Sequence, residues 1–377
     1  MATPKRRTKK KDTDPKGELA ATMAAFDKRY GDGVIRSGRE SKAPERISTG
    51  AFILDFALLG GIPEGRISQV AGNRHSGKSL IAMKIAGNAQ RQYPDQRVVL
   101  LDPEKTFDAT WAEKLGVDVD KILVAEPETG EIAVDMAEAT ISSQETSLLI
   151  VDSLAALVPN REVEGEASDS HVGLQSRLIG MLCRKLNVAM IHERMRGHKC
   201  AVLFVNQFRT KIGVFKGDNR TLPGGYAVEH FPSITWYMRN KEITGKDRAY
   251  DFDTMVENEH SFTVQKNKLN EGPRTGEFRL CRMDRPEEAI STGDIDDSRT
   301  LLVYAKRFGI YSGGGTKWTL EFGEEHHVFA NAKQAEVFLN DNRDVYRALY
   351  WYLIAGQAEN LKMPDYFVSW LTGKMYE

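Results

Sequence analysis

The sequence predicts an α/β fold built around a mostly parallel central sheet. Its 377 residues contain apolar, β-like runs that alternate with stretches of helical periodicity, a pattern typical of parallel strands with covering helices. A phosphate-loop motif directly follows the first of these runs and precedes a helical stretch. Hydrophobic residues make up 41% and charged residues 28% of the chain, which excludes a largely disordered or fibrous protein.

The chain begins with a basic arm. Its net charge is only −1, yet residues 1–12 contain six basic side chains and one acidic side chain. We expect residues 1–16 to be a disordered arm that either tracks phosphates or is simply solvated. No apolar run approaches the roughly 18 residues of a membrane span, and no secretory signal follows the basic start. We therefore expect a cytoplasmic protein that makes no membrane contact.

An amphipathic helix follows the arm. Leu19, Met23, Phe26 and Tyr30 are spaced as on one face of a helix, and Gly31 begins a turn. We assign residues 17–45 to this helix and its connecting segment.

Apolar runs predict the strands of the core. Four of them alternate with helical stretches and predict parallel strands: 66–71, 97–102, 147–152 and 200–206. Apolar residues recur every three or four positions between Leu174 and Met190, which predicts a helix packed on the sheet. Three later runs lack long intervening helices and predict antiparallel strands that finish the sheet: 233–239, 261–268 and 277–283.

A polar, acidic stretch at 285–299 separates the core from a small C-terminal domain, which we place at residues 295–377. Two helical patterns are visible in it, at 301–308 and 332–355. We expect the glycine triplet at 313–315 to form a turn between them.

The phosphate-loop motif is the strongest chemical signal. Residues 72–79 fit G-x-x-x-x-G-K-[ST] between a strand and a helix. Glycines let backbone N–H groups curl around phosphate oxygens, Lys78 can meet the β and γ phosphates, and the Ser79 hydroxyl can bind Mg²⁺. We expect ATP to contact the loop and the residue after it: Gly72, Asn73, Arg74, His75, Ser76, Gly77, Lys78, Ser79 and Leu80.

Polar side chains end three other predicted strands. Asp152 closes a buried strand and is a candidate second ligand for Mg²⁺, while Glu104 follows another strand and can orient an attacking water. Asn206 and Gln207 end the fourth strand, where an amide can sense the γ-phosphate. Since parallel strands end at one edge, we expect these groups to share a crevice.

A loop rich in glycine and basic residues begins at Phe208. It is flexible, basic and adjacent to the candidate sensor, which indicates a segment that contacts DNA. A solvated crossover loop is the alternative interpretation.

The order of these motifs resembles the bacterial RecA family of DNA strand-exchange recombinases, from about Leu19 to about Ala355. The resemblance is carried by the phosphate loop and by Ile47-Ser48-Thr49-Gly50, Leu115-Gly116-Val117-Asp118, Asn206-Gln207, Lys211-Ile212-Gly213-Val214, Lys266-Asn267-Lys268 and residues 126–131, 151–157, 164–166 and 169–171. It implies a RecA-type P-loop ATPase core at residues 46–290, with an N-terminal polymerisation helix and a small α+β C-terminal domain.

The resemblance also implies roles in the nucleotide site. Glu104 looks like the residue that activates water, Asp152 like the Walker B acid, and Gln207 like the amide that couples the γ-phosphate to DNA. Asp108 falls where an acid contacts the base, and Trp111 where a tyrosine stacks on adenine; tryptophan keeps the stacking face but lacks the hydroxyl.

Lys266 and Lys268 are similar to two lysines that reach the ATP of a neighbouring subunit. Such a contact would make hydrolysis depend on filament assembly. The N-terminal helix docks on the next protomer in this family, which suits the segment 17–45.

Two loops are expected to contact DNA, at 164–173 and 208–223. The resemblance, together with helix spacing and loop composition, assigns DNA contacts to Val172, Arg177, Arg184, Arg209, Lys211, Phe215, Gly224 and Gly225.

The function implied is ATP-dependent homologous recombination. The protein would form a helical homopolymer on single-stranded DNA and exchange strands with homologous duplex DNA, using ATP and Mg²⁺ and possible help from single-strand-binding or loading proteins. A hexameric RecA-fold DNA helicase and an ATP-gated scaffold that coats DNA are the alternatives.

Several positions depart from the usual family pattern. Arg74 and His75 replace smaller or acidic loop residues, and Glu229 and His230 replace a lysine and an aromatic residue. The acidic C-terminal tail of many members is absent, which favours easier binding of duplex DNA. These departures suggest a phage-encoded or otherwise specialised member, acting in the cytoplasm of a bacterium or of a phage host.

Overall fold

A computed structural model describes residues 15–30, 42–165, 173–210, 220–247, 252–272 and 274–375. The first helix begins at Pro15, two residues earlier than the sequence indicated. Most of the basic arm lies outside the described residues, as do Val172, Lys211 and Phe215, three of the predicted DNA contacts.

Helices cover both faces of the core and dominate the C-terminal part of the chain. In chain order they are α1 Pro15–Tyr30, α2 Phe52–Leu58, α3 Lys78–Gln92, α4 Ala109–Lys114, α5 Gly130–Ser142, α6 Asn160–Glu164, α7 Leu174–Met195, α8 Tyr226–His230, α9 Ser298–Arg307, α10 Ala332–Asp341, α11 Arg343–Asn360 and α12 Asp365–Gly373.

The strands are β1 Arg46–Ile47, β2 Ile62–Pro63, β3 Ile67–Gly72, β4 Arg97–Leu101, β5 Ile122–Ala125, β6 Thr146–Asp152, β7 Ala201–Gln207, β8 Arg209–Thr210, β9 Arg220–Thr221, β10 Ile234–Asp247, β11 Phe252–Asn267, β12 Thr275–Cys281, β13 Tyr311–Gly314, β14 Lys317–Phe322 and β15 Glu325–Phe329.

Eight strands form the central sheet in the order β12-β11-β10-β3-β7-β6-β4-β5. The six strands from β10 to β5 are parallel, and β11 runs antiparallel to both of its neighbours, β10 and β12. The run at 233–239 was expected to be antiparallel, but it begins β10, which is parallel to β3 because α8 lies in the connection from β7 to β10. The predicted α/β class with a mostly parallel sheet is therefore confirmed. The sequence interpretation missed β5, a short edge strand in which Leu123 is exposed.

Alternation along each strand builds two hydrophobic cores. In β4, Val98 and Leu100 pack with α3 on one face, while Val99 and Leu101 join the layer of α5 and α7 on the other. Burial on both faces explains why these strands are continuous apolar runs.

The C-terminal part differs from its sequence interpretation. The glycine triplet was expected to be a turn between two helical patterns, yet β13, β14 and β15 form a three-stranded antiparallel sheet there. Gly313 lies in β13 with φ +137, and a Cβ there would lie 2.3 Å from the carbonyl oxygen of Lys317. The helical pattern at 332–355 also forms two helices, α10 and α11, because the helix is interrupted at Asn342.

Two buried carboxylates join the C-terminal helices to the core. Asp55 accepts hydrogen bonds from Ser48, from the amide and hydroxyl of Thr49, and from the Tyr350 hydroxyl at 2.6 Å. Asp297 accepts from the Phe52 amide at 2.8 Å. Burial raises the pKa of both carboxyl groups, and the pKa of Asp297 reaches about 6.

Replacing Tyr350 with phenylalanine tests this junction. Tyr350→Phe leaves a fully buried carboxylate with one donor fewer, so we expect a loss of about 1 to 3 kcal/mol of unfolding free energy. Urea unfolding followed by circular dichroism measures it. Tyr352→Phe, on the same helix, is the control and should change stability by less than about 0.5 kcal/mol. A loss in Tyr350→Phe no larger than the loss in Tyr352→Phe would contradict a stabilising hydrogen bond from the Tyr350 hydroxyl to Asp55.

Candidate nucleotide and DNA sites

The phosphate loop lies where β3 passes into α3. Gly77 caps α3 with φ +88, a left-handed conformation that favours glycine. Gly72 is equally constrained, because a Cβ there would lie 2.4 Å from the Ser76 hydroxyl oxygen. The glycines of the motif are thus required by the turn itself, and the turn leaves the first amides of α3 available to phosphate.

Lys78 is buried beneath its own loop. Its Nζ donates to the Asn73 carbonyl oxygen at 2.6 Å and lies 3.4 Å from the Ser76 hydroxyl. Burial lowers the pKa of the ammonium group, while the charges of Asp152 and Glu104 oppose that shift. An incoming phosphate would replace neutral partners with an anion that the buried cation prefers.

Asp152 lies at the end of β6 beside Ser79. Burial raises the pKa of this carboxyl to about 6, while a hydrogen bond with Ser79 and the charge of Lys78 act in the opposite direction. A hydroxyl and a carboxylate are hard oxygen ligands, and Mg²⁺ bound to a nucleotide prefers few such protein ligands. The predicted pair therefore fits Mg²⁺.

Glu104 and Gln207 meet in the same crevice. The Gln207 Nε2 donates to the Glu104 Oε1 at 3.0 Å, and the Ser153 hydroxyl donates to the same oxygen at 2.5 Å. The two residues are 103 positions apart in the chain and meet because β4 and β7 end at one edge. The structure thus joins the candidate water activator directly to the candidate sensor.

The sequence interpretation missed His260, which lies beneath the phosphate loop. Its Nδ1 is 3.2 Å from the Ser76 carbonyl oxygen, so Nδ1 carries the proton and donates. A Cβ at Gly77 would lie 2.4 Å from the imidazole Cε1. Burial lowers the pKa of His260 to about 4. Its position in an antiparallel strand far along the chain gave no local signal.

The candidate base pocket contains Trp111 and Asp108. Both line a pocket with Leu80 and Asp152. The Asp108 side chain caps α4 by accepting from the Trp111 amide at 3.0 Å, an alternative use for the acid predicted to contact the base. The Arg282 guanidinium lies 4.5 Å from the Trp111 ring centroid, so one face of the indole is covered.

Lys266 and Lys268 lie away from the phosphate loop of their own chain. Lys266 pairs with Thr235 near the start of β10, whereas Met238, three residues later and about 10 Å along the sheet, pairs with Gly72. Both ammonium groups donate to the carbonyl oxygen of His230. Within one chain the two lysines therefore cap the end of α8.

The described DNA-site residues gather around α7. Arg177 and Arg184 are exposed on this helix. Gly224 and Gly225 pack against its first turns, since a Cβ at Gly224 would lie 2.8 Å from the Ile179 Cγ2. The Arg209 guanidinium donates to the Ala155 carbonyl oxygen at 3.1 Å. The structure thus places these five predicted residues around one helix.

A phosphate loop at the carboxyl edge of this sheet, with an acid at the end of β6 two strands away, defines a P-loop ATPase with a RecA-type core. A family model described as the RecA N-terminal domain matches residues 17–283. Curated proteins named Protein RecA are similar over most of their length. One from Arthrobacter sp. is 40% identical, covering 88% of this chain and 89% of its own.

A second, from Amycolatopsis mediterranei, is 37% identical over 89% of each chain. A third, from Marinobacter nauticus, is 35% identical and covers 85% of this chain and 91% of its own. The chain therefore belongs to the RecA family. It is an ATP-binding, DNA-dependent ATPase that binds single-stranded DNA, forms filaments and serves homologous recombination by strand exchange.

None of the described helices has the length and apolar character needed to cross a membrane.

The pKa of His260 gives a pH prediction. The folded-state value of about 4 lies below the ordinary 6.5, so the unfolded chain takes up a proton first and stability falls as the pH drops from 6.5 towards 4. His260→Asn keeps an N–H donor for Ser76 but does not titrate. As the pH falls through this window, we expect the unfolding free energy of His260→Asn to rise relative to that of the wild type by up to about 1.4 kcal/mol per pH unit.

Urea unfolding at pH 7, 6, 5 and 4 measures the difference. Other titrating groups, including Asp152, are present in both proteins and cancel in the comparison. A difference that stays constant from pH 7 to 4 would contradict the assignment of His260 as a buried neutral imidazole.

Proposed function

We propose that residues 46–290 hydrolyse ATP in a site that neighbouring protomers of a DNA-bound helical filament complete together. The observation that carries this proposal is the hydrogen bond from Gln207 to Glu104, which links the candidate catalytic carboxylate to the root of the second DNA loop. Residues 295–377 would be a separate small domain.

The phosphate loop would hold the nucleotide. Lys78 would leave the Asn73 carbonyl for the β and γ phosphates, and amides of the loop and of early α3 would surround the phosphate chain. Ser79 and Asp152 would hold Mg²⁺, which neutralises developing charge when bound. Trp111 would present its free face to the base, and Asp108 would stay near it.

Glu104 would orient and activate the attacking water. In the structure Gln207 and Ser153 both donate to one of its oxygens, so that oxygen is occupied. If the γ-phosphate accepted the hydrogen bond of the Gln207 amide, the Glu104 carboxylate would be freed to bind water. Gln207 ends β7, and the hairpin of β8 and β9 at the base of the second loop follows within two residues. DNA held by that loop would thereby influence hydrolysis.

Self-assembly is supported by exposed apolar side chains on two distant elements. Leu19 and Phe26 of α1 are 63% and 41% exposed. On the core, Leu123 is 53% exposed on the edge strand β5, and Ile132 and Met136 are about 40% exposed on α5. An unpaired strand edge with apolar side chains is a ready docking surface. We propose that α1 docks on this surface of the next protomer.

DNA would bind along α7 and the loops beside it. Arg177, Arg184 and Arg209 would neutralise phosphates, and Gly224 and Gly225 would leave backbone amides bare at the start of α8. Val172, Lys211 and Phe215 belong to the same proposal from sequence alone. Base pairing between the bound strand and the duplex, and not contacts with the protein, would recognise homology. Because the protein would contact mainly phosphates, its binding should weaken as the salt concentration rises and depend little on base sequence.

We also propose a place of action and auxiliary partners. A recombinase of this kind would act in the bacterial cytoplasm, or in the cytoplasm of the host if a phage encodes it. Single-strand-binding or loading proteins would assist its assembly on DNA.

Electron microscopy of the protein with single-stranded DNA and a slowly hydrolysed ATP analogue tests the assembly. We expect a continuous, stretched helical filament, since ATP bound between protomers should favour the DNA-binding state. Omitting the nucleotide is the control and should shorten or abolish the filaments. Closed rings threaded by DNA would contradict the proposal and point to a helicase.

The lysine pair gives a second test. Lys266→Ala with Lys268→Ala should retain basal ATPase activity but lose most of its stimulation by single-stranded DNA, because the charge supplied to the neighbouring ATP is gone. A coupled ATPase assay measures both rates. Lys306→Ala with Lys317→Ala changes two exposed lysines of α9 and β14, outside the central sheet, and should keep full stimulation. Normal stimulation in the first variant would remove the proposed role in trans.

A further inference from the structure

A cleft between the ATPase core and the C-terminal helices is lined by cations. Its volume is about 720 Å³. Lys84, Arg91 and Lys114 line it from the core, and Arg343 and Arg347 line it from α11. Among the described residues that line the cleft, only Asp294 is acidic. The nucleotide and DNA sites described above use none of these residues.

The arrangement follows from helix geometry. Lys84 and Arg91 are seven residues apart and share one face of α3, and Arg343 and Arg347 are four apart on one face of α11. Helices from two parts of the chain therefore each direct two cations into one space.

Holding these cations together is electrostatically unfavourable. Burial, together with the charges of Arg91 and Arg343, lowers the pKa of Lys84 to about 8, although the charges of Asp294 and Asp297 oppose the shift. Burial and the charge of Arg347 also lower the pKa of Arg91. A bound anion would relieve this repulsion.

Local hydrogen bonds fix one of the guanidinium groups. Arg91 donates from Nη2 to the Asn88 Oδ1 at 2.6 Å and from Nη1 to the Gly116 carbonyl oxygen at 3.1 Å. Neutral partners orient this cation without neutralising it, so it is positioned for a ligand.

We propose that this cleft is a second anion site, which binds a small oligophosphate. Its volume suits a small-molecule ligand, and guanidinium groups are the preferred partners of phosphate oxygens. Several cations that face one another from two helices match an anion with two or more linked phosphates better than a single carboxylate. Tyr346, which is partly exposed, lines the same cleft and offers aromatic surface to a nucleoside.

Calorimetric titration of sodium tripolyphosphate tests the proposal. The full-length protein first receives one molar equivalent of a slowly hydrolysed ATP analogue with Mg²⁺, enough to fill the phosphate loop without saturating a second site. We expect one further tripolyphosphate per chain, bound about tenfold more weakly by Arg91→Gln with Arg343→Gln. Arg97→Gln with Arg307→Gln, which also removes one exposed arginine from each part of the chain, is the matched control and should bind like the wild type.

The titration is repeated with ATP and with duplex DNA. Tighter binding of ATP than of tripolyphosphate, lost in the cleft variant, would identify a nucleotide as the ligand; equal binding would identify the phosphate chain alone. Unchanged affinity for both compounds in the cleft variant would overturn the proposal. The proposal would also be overturned if the wild-type protein bound neither tripolyphosphate nor ATP in the cleft. Loss of affinity for duplex DNA in the cleft variant would then identify a DNA backbone as the occupant instead.

Melting curves of both double variants show that they fold. All four substituted side chains are exposed, so we expect melting temperatures close to that of the wild type.

Discussion

The parallel alignment of β3, β4, β6 and β7 is the constraint on which the candidate nucleotide site depends. Parallel strands end at one edge, so four segments separated by long helices deliver a phosphate loop, two carboxylates and an amide to the same crevice. None of these groups is close in the chain to all the others. Burial of the sheet on both faces holds this alignment, because a slip of one residue in any strand would move its apolar side chains to the wrong layer.

The same burial sets the electrostatics of the crevice. Removal from water disfavours charge on both Lys78 and Asp152, and each then depends on neighbouring groups of opposite charge or on hydrogen bonds. Without a ligand, the lysine is satisfied by its own loop and Glu104 by Gln207. A bound nucleotide would therefore replace existing hydrogen-bond partners of Lys78 and Gln207. Its binding and the hydrogen bond from Gln207 to Glu104 would then depend on each other.

The sequence predicted the central fold well, and it predicted which polar groups end strands at one sheet edge, because both are local patterns. A strand, a glycine-rich turn and a helix are contiguous in the chain, and each acid was visible at the end of an apolar run. His260 and Arg282 were missed because only the folded structure, and no local pattern, places His260 against the phosphate loop and Arg282 over Trp111. The resemblance implied a small α+β domain, but its strands at 311–329 were not located, because they are short and polar and carry glycine, which by itself indicates a turn.

If Lys266 and Lys268 act in trans as proposed, a single chain has an incomplete nucleotide site. Lys266 and Lys268 cap α8, which follows the second DNA loop, and they lie away from the phosphate loop of their own chain. If they reach the nucleotide of a neighbour, they must leave the His230 carbonyl, and the end of α8 loses its cationic partners. Movement of α8 would then shift Gly224 and Gly225 at its other end, which pack on α7 beside Arg177. A change at the nucleotide between two protomers would thereby arrive at the DNA site of one of them through a helix only five residues long.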